Sequence, residues 1–420
     1  MENFLKFVNR QIDGAWSWAV CGAAFVLLFF AYGNTYSFGV FFPEISASFG
    51  ADRAETALVF SIVGGLYSTL GIISGPAADR LGTRPVCFMG ILALGLGLIY
   101  ASTASALWQV YLGFGLGLAF GMGFIFAPAN AGLQRWFTKN RGLASGLAST
   151  GIGFSILVLP PVSAALIEWQ DWRTAMQIIG FSALIVGSLA ALMMGDPTDA
   201  MRSSPSDVSS ADNHVGVKRN YNLKAAFLSR GFVMLFFSSM ICSIGFFIPF
   251  VHLVPYAIDQ GFGENNGVYL LMVIGISSLT GRILLTTASD HFGRRNSMIA
   301  MYVAMALGFL LWYAAGNMTQ LTLFAVFYGL GSGGYVAMIA PLIAEYFGTE
   351  KIGSILGCFM PNIAIGGFFG PYLTGYAYDL WGSYDIPIIV ALVCGLAAAV
   401  LALLMPAKAY ATSTFEQNFP

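Results

Sequence analysis

The sequence predicts an all-α membrane protein of twelve transmembrane helices, built as two six-helix, pseudo-symmetric halves. Three observations predict it. Of 420 residues 57% are hydrophobic and 9% charged, with a mean hydropathy of +0.75, whereas soluble domains carry about a quarter charged residues. Apolar runs long enough to cross a bilayer, roughly 20 residues each, recur along the whole chain. The second half also echoes the first at an offset of about 210 residues.

Twelve spans are expected, at about 16–42, 54–78, 86–104, 107–133, 142–167, 173–195, 231–258, 266–289, 297–315, 320–344, 352–377 and 385–406. The boundary between the first two is soft, because "FFPEISASFGADRAE" is polar only in its second half. Abundant glycine within these runs (50 residues in all) suits close helix packing in lipid. One long hydrophilic stretch, rich in Ser, Asp and Pro, separates spans six and seven. It reads as a flexible linker, giving a half at 1–195, a linker at 196–229 and a half with a short tail at 230–420. The five cysteines, Cys21, Cys87, Cys242, Cys358 and Cys394, lie in apolar runs without metal-ligand spacing and read as packing residues. The N-terminus carries no small-residue cleavage site after a short apolar core, so no removable signal peptide is expected.

Basic residues set the orientation. With the termini and the even-to-odd loops on one side, that side receives sixteen of nineteen Lys and Arg, from Lys6 and Arg10 through Arg80, Arg84, Arg135, Arg294 and Arg295 to Lys408. The other side receives Arg53 and Arg173. By the positive-inside rule both termini and the linker are cytoplasmic, as in a multi-pass protein of a bacterial inner (plasma) membrane.

The repeat is visible in two loops. "GPAADRLGTRP" after span two matches "TTASDHFGRRN" after span eight, pairing Asp79 with Asp290, Gly82 with Gly293 and Arg84 with Arg295. "RWFTKNRGLASG" before span five matches "EYFGTEKIGSIL" before span eleven, pairing Phe137 with Phe347 and Arg141 with Lys351; Pro161 then falls opposite Pro371. Two such halves in one orientation are the plan of transporters that rock about a midplane site.

"GPAADRLGTR" resembles the loop signature of the major facilitator superfamily. "DGAWSWAV", with Asp13, Gly14, Trp16 and Trp18, resembles the opening motif of its monocarboxylate porters. "RWFTKNRGLASGLASTG" and "GPYLTGYAYDLWGSY" resemble that family and its oxalate/formate-exchanger relatives. The resemblance covers nearly the whole chain except the linker, and it implies a secondary transporter.

Among charged groups, the spans contain Arg282, and none contains a central carboxylate. Acidic residues fall in loops or at span ends: Asp79, Asp290 and Glu345 inside; Glu44, Asp259 and Asp379 outside. A guanidinium stays charged and is costly in hydrocarbon. A wet cavity in which an anionic substrate pairs with it resolves the cost, since guanidinium grips a carboxylate through two parallel hydrogen bonds. The alternative is snorkelling to the cytoplasmic face or bonding to helix-end carbonyls. The resemblance implies the first reading, because these porters carry a span-eight arginine at this position. Two departures bear on coupling. Some relatives have an aspartate where this chain has Ser278, and a lysine where it has Tyr36; both are linked there to protons.

The remaining candidates are polar residues near the midplane: Asn34, Tyr36, Asn130, Tyr335 and Asn362. They are able to bind an anion's further oxygen or, equally, to hydrogen-bond between helices. His252 is the candidate for a coupling proton, or else a packing residue. Asp79, Arg80, Arg84, Asp290, Arg294 and Arg295 carry over from the superfamily as the gate that holds the cytoplasmic side shut. Asp79 is expected to face a neighbouring helix N-terminus and nearby arginines. Pro160, Pro161 and Pro371 are candidate hinges.

The expected partners are therefore a small organic anion, a proton and the lipid bilayer. No cofactor, metal or nucleic acid is expected, and the chain acts as a monomer. The leading expectation is alternating-access transport of lactate- or pyruvate-like anions. The alternatives are oxalate/formate-type exchange, export of neutral compounds, and anion sensing without transport. No Walker loop, "HExxH" or intramembrane carboxylate pair supports an enzyme.

Overall fold

Residues 12–137, 140–197, 227–347 and 352–406 are described in the computed structural model, and every regular element among them is helical. In order these are α1 (Ala15–Tyr36), α2 (Phe38–Phe49), α3 (Arg53–Leu81), α4 (Thr83–Ser102), α5 (Leu107–Trp136), α6 (Arg141–Trp169) and α7 (Trp172–Met193). After the linker come α8 (Arg230–Phe246), α9 (Ile248–Asp259), α10 (Glu264–Phe292), α11 (Arg294–Tyr313), α12 (Met318–Phe347), α13 (Ile352–Phe359), α14 (Pro361–Trp381) and α15 (Asp385–Leu403). Eleven described helices are long and apolar enough to cross a membrane. Pro361–Trp381, with α13 before it, fills the place of the remaining expected span. Large apolar side chains such as Ile73, Ile185, Leu189 and Ile283 are more than half exposed, which in a chain this apolar is a surface for lipid. The protein is a multi-pass membrane protein.

Spans one and seven are broken rather than continuous, and the breaks correspond. α1 gives way to α2 at Ser37, and α8 to α9 at Phe247, 210 residues apart. The residues just beyond are both helix-weakening. Gly39 lacks a Cβ, while Pro249 lacks the N–H that would continue the ladder. Each break has its own fastening. Ser37 donates from its backbone N–H and its hydroxyl to the Gly33 carbonyl, at 2.9 and 2.7 Å. The Phe246 carbonyl instead accepts from the hydroxyl of Tyr328, on α12.

The paired loop motifs also share a backbone conformation. Gly82 and Gly293 take φ of +91° and +82°, a region that L side chains rarely enter, so one sharp turn joins α3 to α4 and α10 to α11.

The packing divides the chain into two compact units, Met1–Ala51 with Leu58–Asp212, and Asp52–Ala57 with Asn213–Pro420. In the first, α1 lies against α5 and α6, and α4 against α5 and α7. Gly97 is in contact with the backbone of Gly113, where a Cβ would meet a carbonyl oxygen at 2.4 Å. In the second, α12 packs along α10 and α11, and α8 against α14 and α15. The first turn of α3, residues 52–57, groups with this second unit.

Candidate functional site

Arg282 lies on α10, ten residues before its last residue, Phe292, or about 15 Å of helix. The guanidinium is thus well inside the apolar span, with its Nε buried. What fixes its height is a seam between α10 and α12. Gly281 meets the Leu330 backbone and Gly333 meets Ser278, where added Cβ atoms would lie 2.2 and 2.1 Å from carbonyl oxygens. No larger residue fits at either glycine. Leu285 reaches Gly334 at 3.0 Å by the same measure. Arg282 and Tyr335, next along the two helices, therefore sit at nearly the same depth. Ser278, four residues before Arg282, is buried in this seam.

Tyr335 and Asn362 are brought together by a residue the sequence reading passed over. The hydroxyl of Ser239, on α8, donates to Asn362 Oδ1 at 2.8 Å and bonds to the Tyr335 hydroxyl. Asn362 Nδ2 donates to the Phe359 carbonyl, which fixes the amide's orientation. All three residues are buried, so three helices are joined by one hydrogen-bonded row. The signal available in sequence was the pair Ser238–Ser239, polar in the middle of an apolar run.

His252 is wholly buried on α9. Its Nε2 lies 2.9 Å from the Pro371 carbonyl and its Nδ1 3.3 Å from the Tyr384 hydroxyl. A carbonyl only accepts, so Nε2 carries a proton. Tyr384 in turn accepts from Arg53 at 2.7 Å, and Arg53 pairs with Asp259 at 2.7 Å. Both carboxylate oxygens of Asp379 accept backbone N–H groups, from Arg53 at 3.0 Å and Ala54 at 2.7 Å, capping α3. His252 thus belongs to a polar network of the second unit, at the end away from the basic loops. Arg53, expected only as a topological exception, is its centre.

The candidates of the first unit do not form a comparable group. Asn34 and Asn130 donate to carbonyls four residues back on their own helices, at 2.7 and 2.8 Å. Tyr36 lies beside Tyr32 next to the break in span one, their rings tilted with centroids 5.8 Å apart. Asn34 and Asn130 thus each satisfy a donor on their own helix.

Asp79 takes a nearby arginine as its partner, Arg135 at the end of α5. The helix-capping carboxylate is Asp196, which the sequence reading placed in the linker. It accepts from the backbone N–H and hydroxyl of Thr83 at 2.8 and 2.9 Å, and pairs with Arg135 at 2.8 Å. Its burial opposes ionisation, but the bonds from Thr83 and Arg135 outweigh that and hold the carboxyl below the usual carboxylate range. Arg80 is exposed; Arg84 lies over Gly195, where a Cβ would meet its guanidinium at 2.6 Å. In the second unit Arg294 bonds to the Pro341 carbonyl at 2.9 Å and lies 3.5 Å from Glu345. Arg295 bonds to the Ala402 and Leu403 carbonyls at 3.2 and 2.5 Å. The side chains of Asp290, Arg141 and Lys351 lie outside the described residues. The motif around Asp13 closes onto the same end of the first unit: Asp13 donates its N–H to the Trp136 carbonyl at 3.0 Å, and Trp18 meets Phe137 edge-on.

The sequence profile of the Major Facilitator Superfamily matches residues 24–290 and 276–418. The chain belongs to that superfamily. Human "Monocarboxylate transporter 2" is 30% identical over 396 residues, covering 90% of this chain and 82% of that protein. Rattus norvegicus "Monocarboxylate transporter 13" is 30% identical over 382 residues, covering 90% and 86%. Human "Monocarboxylate transporter 11" is 28% identical over 387 residues, covering 89% and 79%. Within the superfamily the chain belongs to the monocarboxylate transporter family, a family of transporters rather than enzymes.

Proposed function

We propose that this protein is a secondary transporter that carries small monocarboxylates across the membrane by alternating access, with a proton as co-substrate. One observation carries the reading: Arg282 is set by the α10–α12 seam in the middle of an apolar span, at the depth of the Tyr335–Ser239–Asn362 row. A fixed guanidinium at that depth suits a carboxylate, bound through two parallel hydrogen bonds. The names of the relatives support the same cargo.

Arg282 binds the carboxylate, and Tyr335 and Asn362 bind its neighbouring oxygen; Asn34, Tyr36 and Asn130 are the first half's own candidates for substrate contact. His252 carries the proton. Asp79, Arg80 and Arg84, with Asp290, Arg294 and Arg295, control the cytoplasmic side. The halves 1–195 and 230–420, joined by the linker 196–229, are the moving parts. The protein works as a monomer in the plasma membrane, with both termini in the cytoplasm. Ser278 and Tyr36, where some relatives carry aspartate and lysine, favour a second reading in which a counter-anion replaces the proton.

Uptake of labelled monocarboxylates into proteoliposomes, with and without an inward proton gradient, tests this. Wild type is expected to accumulate substrate when the gradient is imposed, and a folded Arg282→Gln variant to lose at least 90% of uptake, on the order of the loss when one charge-assisted contact goes. Uptake only into anion-preloaded vesicles would select exchange. Undiminished transport by the variant would overturn the carboxylate site.

A further inference from the structure

The first turn of α3 sits in a socket made by the second unit. Its backbone lies directly on Gly375 of α14, where an added Cβ would come 2.6 Å from the Arg53 carbonyl oxygen. One turn further along α14, Asp379 takes the Arg53 and Ala54 N–H groups on its two carboxylate oxygens. The Arg53 guanidinium is gripped separately, by Asp259 at the end of α9, by the Tyr384 hydroxyl, and by the ring of Tyr378, whose centroid lies 4.3 Å from Cζ. Beyond this turn the helix changes company: from Leu58 onward α3 belongs to the first unit. The repeat does not require such a fastening. The residue 210 places after Arg53 is Gly263, which has no side chain, and α10 begins there with no side-chain cap. Nor is the fastening sealed from water. The Arg53 and Asp259 side chains are 20% and 23% exposed, so water can take over each contact as it parts, whereas a fully buried pair would strand its charges on opening.

Resting on the alternating-access reading above, we infer that Arg53, Asp259, Asp379 and Gly375 form a releasable latch. The first turn of α3 is seated on the second unit in one phase of the cycle and lifts off it in another, and this gates passage on the side away from the basic loops. The parts divide the work. Gly375 and Asp379 recognise backbone, so they fix where the turn seats. Arg53 and Asp259 supply the charge that holds it there. The N–H groups freed on release are those of a helix's first turn, which have no partner within the helix and which water satisfies readily. Release therefore costs only the difference between these contacts and those that water offers.

The experiment uses Ala54→Cys, at a position buried in the seated turn, and follows its reaction in intact cells with a membrane-impermeant maleimide, the parent chain setting the background. Thr56→Cys, nearly isosteric and also buried, takes its place if that chain does not fold. The cysteine is expected to react, and uptake of radioactive 2-hydroxypropanoate to fall in step, because the adduct keeps the turn from reseating. Arg53→Gln or Asp259→Asn, added to Ala54→Cys, should speed the reaction about threefold, the scale of a partly exposed ion pair. Gly375→Ala should act in the same direction while removing no charge, since it works only through the Cβ it adds. Asp259→Asn decides the matter if either of the others does not fold. No reaction in a chain that transports means that the turn never lifts, and overturns the latch. So does one reaction rate in all backgrounds, or complete reaction that leaves uptake intact. A chain whose cysteine reacts faster in the variants, as expected, but which takes up no monocarboxylate keeps the latch and overturns the carboxylate reading instead.

Discussion

The basic ends of the two units are built on one frame and wired with opposite charge. Trp136 ends α5 and donates to the Gly195 carbonyl beyond α7, at 2.5 Å. Tyr346, 210 residues on, is the next-to-last residue of α12 and donates to the Pro406 carbonyl beyond α15. Arg84 and Arg295 likewise reach the last residues of the sixth span in their own units. The residue before each aromatic, however, is Arg135 in the first unit and Glu345 in the second. Among the described residues, Arg135 holds two carboxylates, Asp79 and Asp196, and Glu345 faces one cation, Arg294, at 3.5 Å. The shared part of the repeat is its aromatic and carbonyl framework. The ionic part has diverged, and it is tighter in the first unit.

Removing each central charge should widen that contrast most. Arg135→Met leaves Asp79 and Asp196 facing each other without their cation, and should cost about 1–3 kcal/mol, the penalty for stranding a hydrogen-bonded charged partner. Glu345→Gln removes a longer pair, more exposed than Arg135–Asp196, and should cost about 0–1 kcal/mol. Thermal unfolding midpoints in detergent, read by loss of the monodisperse peak, would show the ordering; equal shifts would erase the claimed asymmetry. The aromatic tethers should instead behave alike, since Trp136→Phe and Tyr346→Phe each delete one neutral donor at about 1 kcal/mol. A difference between them of more than about twofold would mean the framework is not shared in energy as it is in geometry.

The smallest effect is a matter of pH. Asp196 has a depressed folded-state pKa, so its contribution is complete above the ordinary carboxylate value near 4 and disappears as pH falls through the folded value. Asp196→Asn should therefore lower stability at neutral pH and flatten the acid limb below about pH 4, the two profiles converging in acid. An acid limb as steep as wild type would place the linkage elsewhere.

Much of the fold was legible because lipid forces the sequence to declare it. Spans must be apolar for their whole length, and Arg80, Arg84, Arg294 and Arg295 mark one side. The breaks at Ser37 and Phe247 were hidden, because Gly39 and Pro249 act only when set in register, and neither looks different from the other glycines and prolines of the spans. At the site, Arg282 was plain from charge alone. Asn34 and Asn130 show what sequence alone leaves open: an amide in an apolar span can satisfy a donor on its own helix, and both do. Ser239 was invisible because its meaning comes from partners 96 and 123 residues away. Asp196 sat in a polar "GDPTD" run whose composition reads as linker, although its carboxylate is bound to Thr83 and Arg135.

The two broken spans carry a lesson about descent. Duplicated copies kept the elbow at one place, yet Ser37 secures its own chain while the elbow at Phe247 depends on Tyr328 from α12. One copy remains a self-contained joint. The other has been geared to α12, the helix that also bears Tyr335, so drift in α12 is answerable both for how that joint bends and for the row that Tyr335 forms with Ser239, a constraint the first copy never inherited.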